Sequence, residues 1–131
     1  MSEEVPDNIR CITFIGEKEH PLIAEELMMP ILGIVPAKDF DDAVEKAVWL
    51  EHGNRHSAHI HSKNVDRITK YAKAIDTAIL VKNGPSYAAL GFGGEGYCTF
   101  TIASRTGEGL TSAKSFTKAR KCVMTDSLCI R

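Results

Sequence analysis

Apolar positions change their period several times along this chain, and each change marks a new element. "CITFI" (11–15) is rich in β-branched and aromatic residues, which predicts a strand. In "HPLIAEELMMP", Pro21 suits the first position of a helix and Pro30 stops it, so a short helix is expected. "ILGIV" (31–35) is an unbroken apolar run, as in a strand covered on both faces. "DFDDAVEKAVWLEHG" shifts to helical spacing. Phe40, Val44, Ala47 and Val48 share a face, Asp39 is placed as N-cap, Asp41 and Asp42 complement the dipole, and Gly53 follows the end. "SAHIH" (57–61) predicts a strand. "NVDRITKYAKAI" predicts a helix that buries Val65, Ile68, Ala72 and Ile75 and turns Asp66, Arg67, Lys70 and Lys73 to water, and "AILV" (78–81) predicts a further strand.

Strands alternating with helices across short connections imply crossover units: an α/β fold with a mostly parallel sheet and flanking helices. The pattern breaks between Asn83 and Gly109, where seven glycines fall in one irregular stretch of the kind that is usually functional inside a compact domain. Beyond it, "LTSAKSFTKAR" predicts a helix opened by Thr111 or Ser112, and "KCVMTDSLCI" a terminal strand. The chain thus divides into a body, 1–118, containing the glycine-rich region 83–109, and a terminal segment, 119–131.

Composition narrows the function classes. A length of 131 residues suits one domain, and a formal net charge of -1 gives no electrostatic footprint for nucleic acid. No apolar run is long enough to span a bilayer, and the acidic start "MSEEVPDN" lacks the features of a signal peptide, which points to the cytosol. Cys11, Cys98, Cys122 and Cys129 form no C-x-x-C pair, so reduced thiols are expected.

Four of the five histidines fall between residues 52 and 61, a density that suggests zinc. A strand over 57–61 would point Ser57, His59 and His61 to one side and His56, Ala58 and Ile60 to the other, so only two histidines converge. No cysteine or carboxylate stands nearby to complete a ligand set, and polar, hydrogen-bonded histidines near the surface are the plainer reading. His52 would sit in the last turn of a helix, where the dipole favours it. "GFGGEG" (91–96) fits G-x-G-x-x-G, but it follows a loop, precedes an extended segment and lacks the acidic residue about 20 positions on, so it reads as a close-packed loop rather than a pyrophosphate cradle. Cys98 has no neighbouring base and reads as an inert thiol; Lys114, Lys118, Arg120 and Lys121 read as a solvated face, and Met28 and Met29 as core filler.

The succession "HPLIAEELMMPIL", "DFDDAVEKAVWLEHGNRHSAHIHSKNVDRITKYAKAI" and "ILVKNGPSYAALGFGGEGYCTFTIASRTGEGLTSAKSFTKARKCV" closely resembles the C-terminal end of CoA-acylating aldehyde dehydrogenases of the type used in ethanolamine and propanediol breakdown. The resemblance runs from about Val5 to the end. It implies part of an aldehyde dehydrogenase catalytic domain plus a C-terminal oligomerisation strand, with NAD as cofactor and CoA as co-substrate of the complete enzyme. "EELMMP" (25–30) looks like the family's Glu-Glu-Ile-Phe-Gly-Pro motif. That maps a glutamate gripping the nicotinamide ribose onto Glu26 and puts Met28 where the aromatic residue stands. By the same likeness Tyr97, Thr99, Phe100 and Ile102 would line the aldehyde pocket, with Asn83 at the strand end beside it. None of the four cysteines matches the family's nucleophile, and the resemblance leaves the NAD-binding domain upstream, so the chain alone is expected to be inactive. The partners implied are further copies of the chain, a missing amino-terminal portion or a microcompartment shell. A non-catalytic assembly module on the same scaffold is the alternative.

Overall fold

The computed structural model describes residues 7–99, 101–103 and 109–125. Phe100 and Cys129, named above, lie outside them. Four strands and three helices alternate as expected: β1 (Ile12–Ile15), α1 (Pro21–Ala24), β2 (Ile31–Ile34), α2 (Phe40–Glu51), β3 (Ser57–Ile60), α3 (Val65–Ile75) and β4 (Ile79–Lys82). A 3-10 turn at Ser86–Leu90 follows, then β5 (Ile102–Ala103), β6 (Gly109–Leu110) and a second 3-10 turn at Ala113–Phe116. The strands form three separate pairs among the described residues: β1 with β2 and β3 with β4, both parallel, and β5 with β6 antiparallel. The fold is α/β with parallel strand pairs and flanking helices.

Local chemistry explains the two long helices. Asp39 caps α2 by accepting the Asp42 N–H at 2.9 Å, and Asp42 in turn accepts from the Lys38 N–H and the Lys46 ammonium, each at 2.9 Å. Asn64 caps α3 through the Arg67 N–H at 3.0 Å. Both helices end on left-handed residues, His52 and Asp76. Asp76 also pairs with Arg55, fastening the turn after α3 to the entry of β3.

The core lies between these helices and one face of the β3–β4 pair. Val44, Ala58, Ile60, Tyr71 and Ile75 are buried, with Phe40, Ala47, Ile68 and Leu80 packed against them. Because strand side chains alternate, Ala58 and Ile60 enter this core while Ser57 and His59 face the other way. Tyr71 was not expected in the core. Burial raises the pKa of its phenol, because the charged form is the costly one there.

Several expectations need correction. Val48 and Val65 are 39% and 71% exposed, because α2 and α3 meet along Val44, Ala47, Ile68 and Tyr71. Met28 and Met29 fill no core, being 91% and 53% exposed. Helix α1 stops at Ala24, so Glu25 to Pro30 are irregular. Instead of a helix over "LTSAKSFTKAR" there is one 3-10 turn: Ser112 opens it, exchanging hydrogen bonds with Ser115 in a capping box, but Thr117 adopts an extended backbone and spends its hydroxyl on the Lys114 carbonyl at 2.7 Å, where the turn ends. Of the expected terminal strand, residues 121–125 have no regular structure and 126–131 lie outside the described residues.

Candidate active site

Glu26 sits on the irregular segment after α1, exposed on a cleft of about 600 Å³ that it shares with Glu51, His56, Ser57 and Ile102. The segment is tied to the end of α2, where His52 Nε2 donates to the Ala24 carbonyl at 2.9 Å and stacks obliquely on Trp49. Trp49 in turn carries the Lys18 ammonium 4.1 Å from its ring centre. The structural role of His52 is therefore a tether two residues before Glu26, beyond any dipole effect. Close packing helps as well, because a Cβ on Gly33 would overlap Ile23 of α1.

Glu25, Glu26 and Glu51 give this cleft a surplus of carboxylates. Carboxylates accept hydrogen bonds from hydroxyl groups and disfavour phosphate, and His56, Ser57 and Asn54 add donors beside them, so the residues present fit a ribose diol. The glycine motif does not supply the missing cradle. A Cβ on Gly96 would fall on the Ala89 carbonyl, and one on Gly94 against the Ala88 carbonyl, so these glycines let the loop close onto the 3-10 turn.

The other candidate residues separate. Ile102 borders both the Glu26 cleft and a second, mainly apolar hollow of about 380 Å³ on the outer face of β3–β4. Tyr97 lines a different groove, along β4 and the glycine loop. Thr99 is half-buried and its hydroxyl accepts the Thr101 N–H at 3.2 Å. Asn83 does follow β4 directly, and its amide is engaged with Ser62: Oδ1 accepts the N–H at 2.7 Å and Nδ2 donates to the carbonyl at 2.9 Å.

Sequence reasoning missed His56 and Ser57, which border both cavities with Ile102 and hydrogen-bond to each other, Nδ1 to Oγ, at 3.0 Å. The histidine density was the available signal. His59 is likewise hydrogen-bonded, to Ser86, and among the described residues no group of three or more metal-binding side chains is gathered. Cys11, Cys98 and Cys122 are free and exposed.

Comparison with known proteins settles the lineage. The family model for the aldehyde dehydrogenase family matches residues 11–120. The chain belongs to the aldehyde dehydrogenase family. It is 48% identical over 122 residues to a CoA-propanoylating propanal dehydrogenase of Citrobacter freundii, covering 93% of this chain and 26% of that protein. A solved propionaldehyde dehydrogenase from the Clostridium phytofermentans fucose utilisation bacterial microcompartment superposes with a TM-score of 0.88 at 88% identity, over 98% of this chain and 29% of that one. An engineered glycolyl-CoA reductase with bound NADP+ gives 0.85 at 57% identity, over 93% of this chain and 28% of that one. The chain therefore spans about a quarter to three tenths of the length of these relatives. Among the described residues no helix is long and apolar enough to cross a membrane.

Proposed function

We propose that this chain supplies the ribose-clamping and pocket-lining part of an NAD-dependent, CoA-acylating aldehyde dehydrogenase, which converts aldehyde, NAD+ and CoA to acyl-CoA, NADH and a proton. One observation carries the reading: Glu26 lies in a carboxylate-rich cleft that shares His56, Ser57 and Ile102 with an apolar hollow suited to a short acyl chain. When bound, the nicotinamide accepts hydride. Glu26 accepts hydrogen bonds from the ribose hydroxyls and so fixes the direction from which hydride arrives. His56 provides an imidazole at the border of the two cavities, a group able to hold or release a proton during acyl transfer. Ile102 shapes the aldehyde side, and the family likeness adds Tyr97, Thr99 and Phe100 to it, with Asn83 following β4.

The attacking sulfur lies outside these 131 residues, none of whose cysteines matches the family's nucleophile. The relatives' names support the acyl-CoA chemistry, and the origin of the Clostridium phytofermentans enzyme supports residence in the cytoplasm within a microcompartment. Homo-oligomerisation through 119–131 is part of the same proposal. The test joins all 131 residues to the amino-terminal portion of the Clostridium phytofermentans enzyme and follows NADH formation from propanal and CoA. The chimera is expected to turn over and the isolated chain to give none; robust turnover by the isolated chain would overturn the reading.

A further inference from the structure

The outer face of the β3–β4 pair carries Ser57 and His59 beside their register partners Ile79 and Val81. Strands rise about 3.3 Å per residue, so His59 lies about 7 Å beyond Ser57 along the strand, away from the border with the Glu26 cleft. There its Nε2 meets the Ser86 Oγ at 2.9 Å, across 27 residues of sequence. Ser86 opens the 3-10 turn that covers this face, and Pro85 before it, at φ -77°, sets the entry of the chain. Between the border and this pair the hollow is lined by Ile79, Val81, Leu90 and Ile102. An apolar-walled hollow therefore runs from the His56–Ser57 pair at the border of the proposed hydride-transfer cleft to a second serine–histidine pair at its far end.

The proton inventory of that pair sets what it recognises. If Ser86 donates to His59, its oxygen keeps two lone pairs; if His59 Nε2–H donates, the oxygen keeps one lone pair and its own proton. In both arrangements Ser86 can accept a hydrogen bond from a hydroxyl. An unsubstituted alkyl chain reaching the same point would strip water from the pair and return nothing. We propose that His59 and Ser86 are specificity-determining residues that favour short aldehydes bearing a hydroxyl remote from the carbonyl over plain alkyl aldehydes. This rests on the dehydrogenase reading above.

The test uses the same chimera, containing the full chain, with 3-hydroxypropanal and propanal as competing substrates. Sites built to bond a substrate hydroxyl discriminate through the group left unpaired. Ser86→Ala and His59→Val are expected to lower the ratio of kcat/KM for 3-hydroxypropanal to that for propanal by about tenfold. Ser86→Thr, which keeps the hydroxyl, is expected to retain the ratio. An unchanged ratio in Ser86→Ala, or an equal fall for both substrates, overturns the proposal. A chimera that forms no NADH from either aldehyde counts against the dehydrogenase reading instead. The pocket is then judged by calorimetry on that chimera with 1,3-propanediol and 1-propanol, where preference for the diol that Ser86→Ala removes supports the proposal and equal binding of the two alcohols overturns it.

Discussion

Asn83 clasps the backbone of Ser62 from both sides, accepting its N–H at 2.7 Å and donating to its carbonyl at 2.9 Å, and so locks the residues following β3 and β4 together. Asn83 itself has φ +53°, a left-handed conformation that asparagine tolerates better than most residues. Both groups are near water, so the lost bonds are partly replaced on mutation. Asn83→Ala is expected to cost about 1–2 kcal/mol in urea unfolding, and Asn83→Asp, which can still accept but not donate, about half of that. A loss of aldehyde selectivity in the chimera without any loss of stability would instead assign Asn83 to direct substrate contact.

Glu26 tests the clamp. Removing a hydrogen bond made by a charged group typically costs about 1.5–3 kcal/mol, so Glu26→Ala in the chimera is expected to lower turnover with NAD+ roughly 10- to 100-fold. Glu26→Gln, which keeps one acceptor oxygen, is expected to fall between the two. Steady-state kinetics at varied NAD+ check this, and an undiminished Glu26→Ala enzyme would remove the ribose role.

How much of this was legible before any coordinates depended on the range of the interactions. The α2 and α3 boundaries were readable because Asp39, Asn64 and the apolar spacing act within a few residues. In "LTSAKSFTKAR" the opening at Ser112 is local and legible, whereas the early stop at Thr117, whose hydroxyl donates to the Lys114 carbonyl, is marked by no glycine or proline. Tyr71 escaped because its burial depends on α2 lying across α3, a fact of tertiary packing. At the site, Glu26 was reached through the family's motif, whereas His59 found its partner 27 residues away, beyond the reach of local pattern. The grouping of strands into pairs was equally non-local.

The glycine loop offers a purely steric prediction. A Cβ on Gly96 would fall on the Ala89 backbone carbonyl, which cannot swing aside as a side chain can. Gly96→Ala is therefore expected to destabilise by about 1–3 kcal/mol. Gly93 has φ +80° with open space around its missing Cβ, so Gly93→Ala carries conformational strain alone, about 1–2 kcal/mol. Thermal unfolding of both, with a shift of the Tyr97 environment only in Gly96→Ala, would separate crowding from strain.

Asp42 gives a pH dependence of known sign. The Lys46 ammonium and the Lys38 N–H hold its carboxyl below the usual carboxylate range. A depressed folded-state pKa means the contribution is fully present above the unfolded-state value and is lost as pH falls through the lower folded-state value. The stability of α2 is thus expected to decline on acidification below the ordinary carboxylate range, and Asp42→Asn to flatten that decline. Circular dichroism melts across acid pH check it; an unchanged profile in Asp42→Asn would show that other carboxylates carry the effect.

The β1–β2 pair makes the most direct test of what this chain needs to be covered by. Thr13, Ile15, Leu32 and Ile34 share one of its faces, and Ile15, Leu32 and Ile34 are 72%, 57% and 47% exposed. Three large aliphatic side chains side by side on a two-stranded sheet are a strong drive for association. This chain spans 26% to 29% of the length of its relatives, and the same fold within them contains this pair. The isolated chain is accordingly expected to bind a hydrophobic dye and to self-associate in sedimentation, and Leu32→Lys to reduce both. Adding the amino-terminal portion of the Clostridium phytofermentans enzyme as a separate polypeptide is expected to displace the dye from the unaltered chain and to form a mixed complex that Leu32→Lys weakens. Dye release with no complex, or a complex indifferent to Leu32→Lys, would place the contact on another face.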